Sequence, residues 1–196
     1  MLEGLSMCTI PPTVLRRQRA PARPHSTGFT LVELMIVVTL LAVMLGIAAP
    51  SFRDFMAGQR VKTAAGEYAS SLVQARSEAI KRNGRVVVCR SPDITIPVPL
   101  CTNSGGWEQG WIAFHDLDGD GVHDSASESL VLAQPAYTGL TLAGPATIAV
   151  YLGTGRLDST IAVAKMQVTS SVDSASKSCV AIDLSGMPVS TKGACT

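Results

Sequence analysis

Carboxylates at alternate positions make the stretch DLDGDGVHDSASE the part of this chain best suited to ion chemistry. Asp116, Asp118, Asp120 and Asp124 match ligand positions of a calcium loop, in which oxygen atoms wrap a hard cation within one tight turn. A calcium loop ends with an acid at its twelfth position, which is Ser127 here, and Glu128 follows one residue later. Strands rather than helices are predicted on both sides. Two interpretations stay open: these five acids bind calcium, or the stretch is an Asp/Gly-rich turn that needs no metal.

Cysteine pairs are the second chemical feature of the sequence. Of five cysteines, Cys8 lies in the N-terminal 28 residues, which leaves Cys89, Cys101, Cys179 and Cys195 for the rest of the chain. Four cysteines allow three pairings, and sequence alone does not choose among them. We favour Cys89 with Cys101 and Cys179 with Cys195, because each pair closes a short local loop. Each such disulfide would stabilise the folded state by about 2–4 kcal/mol. No CxxC spacing indicates a zinc site.

Patterns typical of catalysis are missing from the sequence. His115 and His123 flank the Asp-rich stretch, and no serine or cysteine lies in a nucleophile motif. The glycine pairs around 139–144 and 153–155 lack the Lys-Ser/Thr ending of a phosphate-binding loop. We therefore expect a protein that is not an enzyme.

A single acid stands inside the longest apolar run of the chain. Phe29 to Ala49 is 21 residues long, and Glu33 is its only charged residue. A helix of this length spans about 30 Å, enough to cross the hydrocarbon core of a bilayer. A plain single-pass anchor is one alternative, and the small residues near Pro50 also leave a secretory signal peptide open. Neither explains Glu33, because an ionisable group at membrane depth is costly and indicates a function.

Basic residues precede the apolar run. Arg16, Arg17, Arg19 and Arg23 lie before it with no acid between. This asymmetry predicts a cytoplasmic N-terminus and a C-terminal domain across the membrane. Residues 1–28 also contain four prolines and no apolar periodicity, so we interpret them as a processed leader.

The stretch GFTLVE, followed by the apolar run, resembles the class III signal of type IV pilins and pseudopilins. The resemblance implies that a prepilin peptidase cuts between Gly28 and Phe29 and methylates the new N-terminal Phe29. It also implies a role for Glu33, whose carboxylate would neutralise the N-terminal amine of a neighbouring subunit. Pairing two buried charges avoids the cost of burying either one alone.

A second helical segment is predicted directly after the apolar run. Residues 51–85 contain no proline, and apolar residues recur at helical spacing. The predicted buried stripe consists of Val61, Ala64, Ala65, Tyr68, Leu72, Ala75, Ala79 and Ile80. Asn83-Gly84 predicts the helix end, so 29–84 is interpreted as one long helix with a membrane segment at 29–49.

Residues 85–196 predict a β-rich domain. Seven short β-prone runs alternate with turn signals: RVVVCRS, GWIAFHD, SLVLAQ, GLTLAG, TIAVYL, IAVAKMQVT and CVAIDLS. We predict an α+β, pilin-like fold in which the outer half of the long helix packs on an antiparallel, sandwich-like β-domain in the periplasm.

The pattern of the β-domain resembles the GspH/FimT family of minor pilins and type II secretion pseudopilins. The motifs that carry this resemblance are VVVCRS, GWEQGWIAFHDLDGDGV, GTGRLD and CVAIDLSGMPVSTKGAC. The resemblance implies an inner-membrane subunit that primes or caps a filament, with other pilins, the prepilin peptidase and an inner-membrane assembly platform as partners. The paired cysteines favour a FimT-like over a GspH-like protein.

Nucleic acid is a disfavoured partner. Some FimT-like proteins bind DNA through a Gly-Arg-x-Arg motif, whereas Gly186 is followed here by Met187, Pro188 and Val189. From residue 86 onward the chain has five Lys/Arg against ten Asp/Glu, so its long-range field repels phosphate. DNA binding and a plain membrane-anchored, calcium-binding protein remain as alternatives.

Overall fold

A computed structural model of the chain describes residues 28–124, 126–144, 149–158 and 165–196. The described residues fall into two compact units that divide between Val43 and Met44. All of the predicted leader except Gly28 lies outside the described residues. So do parts of two predicted β-prone runs, at 147–148 and 161–164.

One long α-helix, α1, runs from Leu31 to Arg82. Thr30 precedes it, and the Thr30 hydroxyl accepts the backbone N–H of Glu33 at 3.2 Å, which satisfies one of the free donors of the first turn. The helix ends where the sequence predicts, because Asn83 adopts a left-handed φ of 46° and the Gly84 N–H returns to the Ala79 carbonyl at 3.1 Å.

The N-terminal part of α1, as far as Ile47, is an exposed apolar helix. Large apolar side chains from Phe29 to Ile47 are all open to solvent. Among the described residues, no unbroken helix has the length and hydropathy of a membrane span. The segments Leu31–Ile47 and Ser51–Arg82 reach those values when taken together as a bent pair.

The described residues of the second unit form eight β-strands and one 3₁₀ turn, Trp107–Gln109, in addition to the rest of α1. The strands are β1 Arg85–Arg90, β2 Trp111–Asp116, β3 Leu130–Gln134, β4 Leu140–Ala143, β5 Ala149–Tyr151, β6 Lys165–Ser170, β7 Lys177–Ile182 and β8 Pro188–Lys192. They form two four-stranded sheets, β3-β2-β1-β5 and β4-β6-β7-β8. Every pairing within them is antiparallel, which confirms the predicted α+β class.

A single core joins the helix to both sheets. Seven of the eight residues of the predicted stripe are buried there, from Val61 to Ala79. Tyr68 is at its centre, with its ring edge-on to Trp107 at 5.5 Å and to Trp111 at 5.4 Å. Each such aromatic pair adds about 0.5–1.5 kcal/mol beyond the area it buries.

Two details differ from the sequence prediction. Ile80 is 47% exposed, because it comes one position after Ala79, where the helix face turns away from the sheets. Strand β8 was not among the seven predicted runs. It begins with Pro188 and is otherwise mostly polar and exposed, so it lacks the apolar alternation that indicates a half-buried strand.

Strands β1, β2 and β5 of the first sheet are buried on both faces, whereas β3 is partly exposed. One face lies in the main core, and the other carries a second apolar cluster of Val87, Cys89, Ile112, Phe114 and Val150. Ile94 and Cys101, from the loop after β1, pack against that cluster. The Pro-rich loop between Cys89 and Cys101 therefore covers one face of this sheet.

Candidate functional site

The predicted processing site lies at the start of the described chain. Gly28 and Phe29 precede the helix, and the Phe29 side chain is 80% exposed. A Cβ added at Gly28 would meet no atom within 4 Å. No crowding within the described chain therefore requires glycine at this position.

Glu33 occupies the first turn of α1. Its backbone N–H is capped by Thr30, and Thr30 with Glu33 three residues later has the sequence of a capping box. Among the residues that the structure describes, the Glu33 carboxylate forms no ion pair. Its charge near a helix N-terminus is favourable in itself, and it is free to pair with a cation from outside the chain.

The Asp-rich loop brings three of its five predicted ligands together. Carboxylate oxygens of Asp116, Asp118 and Asp120 all lie within 4.8 Å of one another. Asp118 and Asp120 are exposed, whereas Asp116 is buried and its Oδ2 accepts the Arg85 Nε–H at 2.8 Å. Arg85 thus already neutralises the one buried acid of the group.

Glu128 has a different role from the predicted one. Its Oε1 accepts the Leu117 N–H at 2.8 Å and its Oε2 accepts the Asp124 N–H at 3.0 Å. The side chain is buried and closes the loop at its base, outside the three-carboxylate group. Asp124 also lies outside that group and caps the turn that follows it, accepting the Ala126 N–H at 2.9 Å.

Both cysteine pairs favoured from the sequence are present as disulfides. Cys89 is bonded to Cys101, and Cys179 to Cys195. The first closes the loop that covers the outer face of the first sheet. The second holds the C-terminal residues on the second sheet, where the Gln167 side-chain oxygen also accepts the Cys195 N–H at 2.7 Å.

The turn between β7 and β8 lies where the DNA-binding motif of some FimT-like proteins would be. Arg76 reaches this turn from α1, donating from Nη1 to the Met187 sulfur at 3.2 Å. Its Nε also donates to the Gly155 carbonyl, in the turn after β5, at 2.8 Å. The Tyr151 hydroxyl donates to the Gly186 carbonyl at 3.2 Å. At the start of the turn, the Ser185 hydroxyl donates to Asp183 and lowers the pKa of that carboxyl below its usual value.

Arg76 is the residue that sequence reasoning missed. It lies off the predicted buried stripe, and nothing in the sequence pattern assigns it a partner. The available signal was its position between Leu72 and Ala79, at the border of the buried face, where a long side chain can reach a neighbouring turn. Its contacts to Gly155 and Met187 tie the helix to turns that follow strands of both sheets.

Part of the chain is similar in sequence to fimbrial proteins of two bacteria. A fimbrial protein of Pseudomonas aeruginosa is 38% identical over 68 residues, which cover 35% of this chain and 44% of that protein. A fimbrial protein of Dichelobacter nodosus is 32% identical over 93 residues, covering 47% of this chain and 53% of that protein. The chain thus spans about half the length of the curated relatives it matches.

A solved structure shares the fold. The crystal structure of the type IV minor pilin FimU of Pseudomonas aeruginosa strain PAO1 superposes with a TM-score of 0.50 at 15% identity, covering 66% of this chain and 91% of FimU. At this identity the similarity establishes the fold alone.

Two family profiles match the sequence itself. The prokaryotic N-terminal methylation motif matches residues 23–49, which include Gly28, Phe29 and Glu33. The profile described as type II transport protein GspH matches residues 64–186, from the buried half of α1 to the turn before β8. With more than half of its length matched by that profile, the chain belongs to the GspH family.

Proposed function

We propose that this protein is a minor pilin or pseudopilin, a structural subunit that primes or caps a type IV pilus or a type II secretion pseudopilus. The observation that carries the proposal is the helix α1. Its first part exposes an apolar surface whose only charged residue is Glu33, and its later part packs into the core of the β-domain. A single chain leaves that apolar surface uncovered, so lipid or neighbouring subunits must cover it.

Processing and localisation follow from the methylation motif. We propose cleavage between Gly28 and Phe29, methylation of Phe29 and insertion of residues 29–49 in the bacterial inner membrane. The domain formed by 85–196 would then lie in the periplasm, where disulfides persist. The absence of crowding at Gly28 supports a glycine that is read by another protein, the prepilin peptidase, rather than one that the fold requires.

Assembly would depend on Glu33. After cleavage, the α-amine of Phe29 on a neighbouring subunit is the cation that fits this carboxylate, and other pilins or pseudopilins on an inner-membrane assembly platform are the partners. Within the pilin class we favour a FimT-like over a GspH-like protein, because of the two disulfides.

A clean deletion of the gene tests this proposal. We expect loss of surface pili and twitching motility with normal secretion of exoproteins, as for a FimT-like minor pilin. Lost secretion with normal pili would assign the subunit to a type II secretion pseudopilus instead. Unchanged pili and unchanged secretion would contradict the proposal.

Calcium binding is a second candidate function, favoured by the convergence of Asp116, Asp118 and Asp120. Asp118 and Asp120 would be the principal ligands, because Arg85 engages Asp116 and backbone N–H groups occupy both oxygens of Glu128. Calcium should then raise the melting temperature of the wild type but not of Asp118→Asn/Asp120→Asn. Equal melting curves with calcium and with a chelator would contradict calcium binding.

DNA binding is not favoured by the turn at Gly186. Arg76 contacts this turn at Met187 and Tyr151 contacts it at Gly186, so its polar contacts serve the fold. We expect the protein to show no salt-dependent binding of DNA.

A further inference from the structure

Exposed apolar side chains gather at one end of the β-domain unit. Phe52 and Val172 line one shallow pocket of about 230 Å³, although they are far apart in sequence. Val172, in the turn between β6 and β7, is 77% exposed, and Phe52 is 64% exposed. Phe55 and Met56 continue the exposed apolar surface on the next turn of α1. We name these four residues the Phe52 patch.

Cations surround the Phe52 patch. Arg53 and Arg60 line the same pocket as Phe52 and Val172. Lys62, Lys177 and Lys192 line a neighbouring groove of about 440 Å³, which also contains Phe55. Of these five cations, which we name the basic rim, none forms an ion pair with another residue that the structure describes.

Two acids lie among these cations. Asp54 lines the groove, and Asp173 follows Val172. The Asp173 carboxylate accepts the Ala175 N–H and the Ser176 hydroxyl, so it is held within its own turn and keeps its negative charge. Five cations therefore face two acids at this end of the domain. The rim therefore remains net positive, whereas the chain from residue 86 onward has twice as many acids as bases.

The short chain connection between the apolar run and Phe52 limits how far the Phe52 patch can lie from the end of that run. Phe52 follows Ala49, the last residue of the apolar run, by three positions. Three residues span at most about 11 Å, whatever their conformation. If the run crosses the membrane, as in the proposed function, the Phe52 patch lies at the depth of the lipid head groups.

We propose that the Phe52 patch and the basic rim form a docking surface for the anionic bilayer surface, on which the β-domain rests before the subunit enters a filament. Aromatic and apolar side chains insert at the head-group level, and lysine and arginine attract anionic lipid phosphates. The inference rests on the proposed membrane anchorage. Val172 extends the docking surface from the helix to the β-domain, because the fold brings a turn of the second sheet to the same surface.

The full chain in lipid vesicles tests this docking. In a Cys8→Ser background, an environment-sensitive fluorophore is attached at Val172→Cys, at Leu41→Cys in the apolar run, or at Val122→Cys in the Asp-rich loop. Vesicles contain phosphatidylcholine with or without phosphatidylglycerol, and lipids brominated on their acyl chains serve as quenchers. Because all three positions are exposed, the labels should not disturb the fold, and melting curves check this.

We expect quenching at Leu41 in both kinds of vesicle, quenching at Val172 that increases with phosphatidylglycerol, and none at Val122. Arg60→Gln/Lys62→Gln should lower the ratio of docked to undocked protein at Val172 about fivefold per charge removed. Lys81→Gln/Arg156→Gln removes two exposed charges elsewhere and should leave that ratio unchanged.

Quenching at Leu41 without quenching at Val172 would overturn the docking while the anchorage stands. The docking would also be overturned if the fluorescence of the label at Val172 changed with the number of protein molecules per vesicle and not with the lipid composition. That result would indicate a second subunit on the patch. Equal effects of the two double variants would remove the role of the basic rim. No quenching at Leu41 would instead contradict the membrane anchorage of the proposed function.

Discussion

Among single residues, Glu33 has a local role in the structure and a separate, intermolecular role in the proposed function. Locally it follows Thr30 at the spacing of a capping box, and its backbone N–H is bonded to the Thr30 hydroxyl. That local role requires no charge, since a glutamine at the same position also fits a capping box. The proposed pairing with a neighbour's amine does require the charge.

Glu33→Gln separates these two roles. We expect the variant to keep normal helix content and membrane insertion but to be lost from sheared filaments, because a neutral side chain cannot balance a buried amine. Immunoblots of the sheared and membrane fractions measure this. The matched control is Thr30→Ala, which removes the cap at a cost of about 1 kcal/mol and keeps the charge. Normal incorporation of Glu33→Gln would refute the charge-pairing role.

Gly186 is a second residue whose type is set by its surroundings. It has a φ of +80°, and a Cβ there would come within 2.4 Å of the Gly155 carbonyl oxygen. Gly119 has nearly the same φ, +83°, but open space where a Cβ would be. Alanine at Gly119 would therefore introduce backbone strain alone, whereas alanine at Gly186 would introduce backbone strain and steric crowding.

Gly119→Ala should destabilise the protein by about 1–2 kcal/mol, the cost of a left-handed non-glycine residue. Gly186→Ala should cost clearly more, because the β7–β8 turn must also move away from Gly155 and from Arg76. Denaturant unfolding of both variants measures the difference. Equal losses would mean that the turn accommodates a methyl group and that Arg76 does not fix its position.

At the scale of elements, periodicity predicted most of the fold. The helical stripe from Val61 to Ala79 and the β-prone runs could be predicted because their apolar faces are buried in the main core. Strand β8 could not be predicted this way, since it pairs with β7 at an exposed sheet edge and its register depends on backbone bonds rather than on an apolar face.

Tertiary contacts explain what the sequence left open at the sites. The Asp-rich loop and the cysteines were identified from their spacing, but the closing role of Glu128 depends on backbone N–H groups that only the folded loop presents. Likewise, Arg76 acts through turns that lie 79 and 111 residues away in sequence. No local pattern encodes such partners.

The two disulfides should differ in what they protect. Their sequence separations are 12 and 16 residues, so removing either one by double Cys→Ala replacement should cost a similar amount, about 2–4 kcal/mol. Only loss of Cys89–Cys101 frees the loop that covers Val87, Ile112 and Phe114. Relative to the wild type, whose exposed Phe29–Ile47 segment already binds dye, binding of a hydrophobic dye below the melting transition should therefore increase in that variant and stay unchanged without Cys179–Cys195. Equal dye binding would show that the loop covers this face without its disulfide.

In the whole molecule, a folded β-domain is joined to an apolar helical segment whose side chains are not buried by the rest of the described chain. Side chains from Phe29 to Ile47 are exposed, whereas the later helical stripe is buried in the domain. Charge is divided as well, with seven bases against three acids in 53–85 and the reverse balance from residue 86 onward. This division suits a subunit that is held first by lipid and then by its neighbours.

The central claim is that the protein is processed and assembled as a pilin or pseudopilin, and the N-terminus of the assembled protein tests it most directly. Mass spectrometry of N-terminal peptides from the sheared filament fraction should find a chain that begins at Phe29 and carries one methyl group. The same peptide should vanish in cells that lack the prepilin peptidase. A filament fraction without the protein, or an N-terminus at any other residue, would contradict the claim.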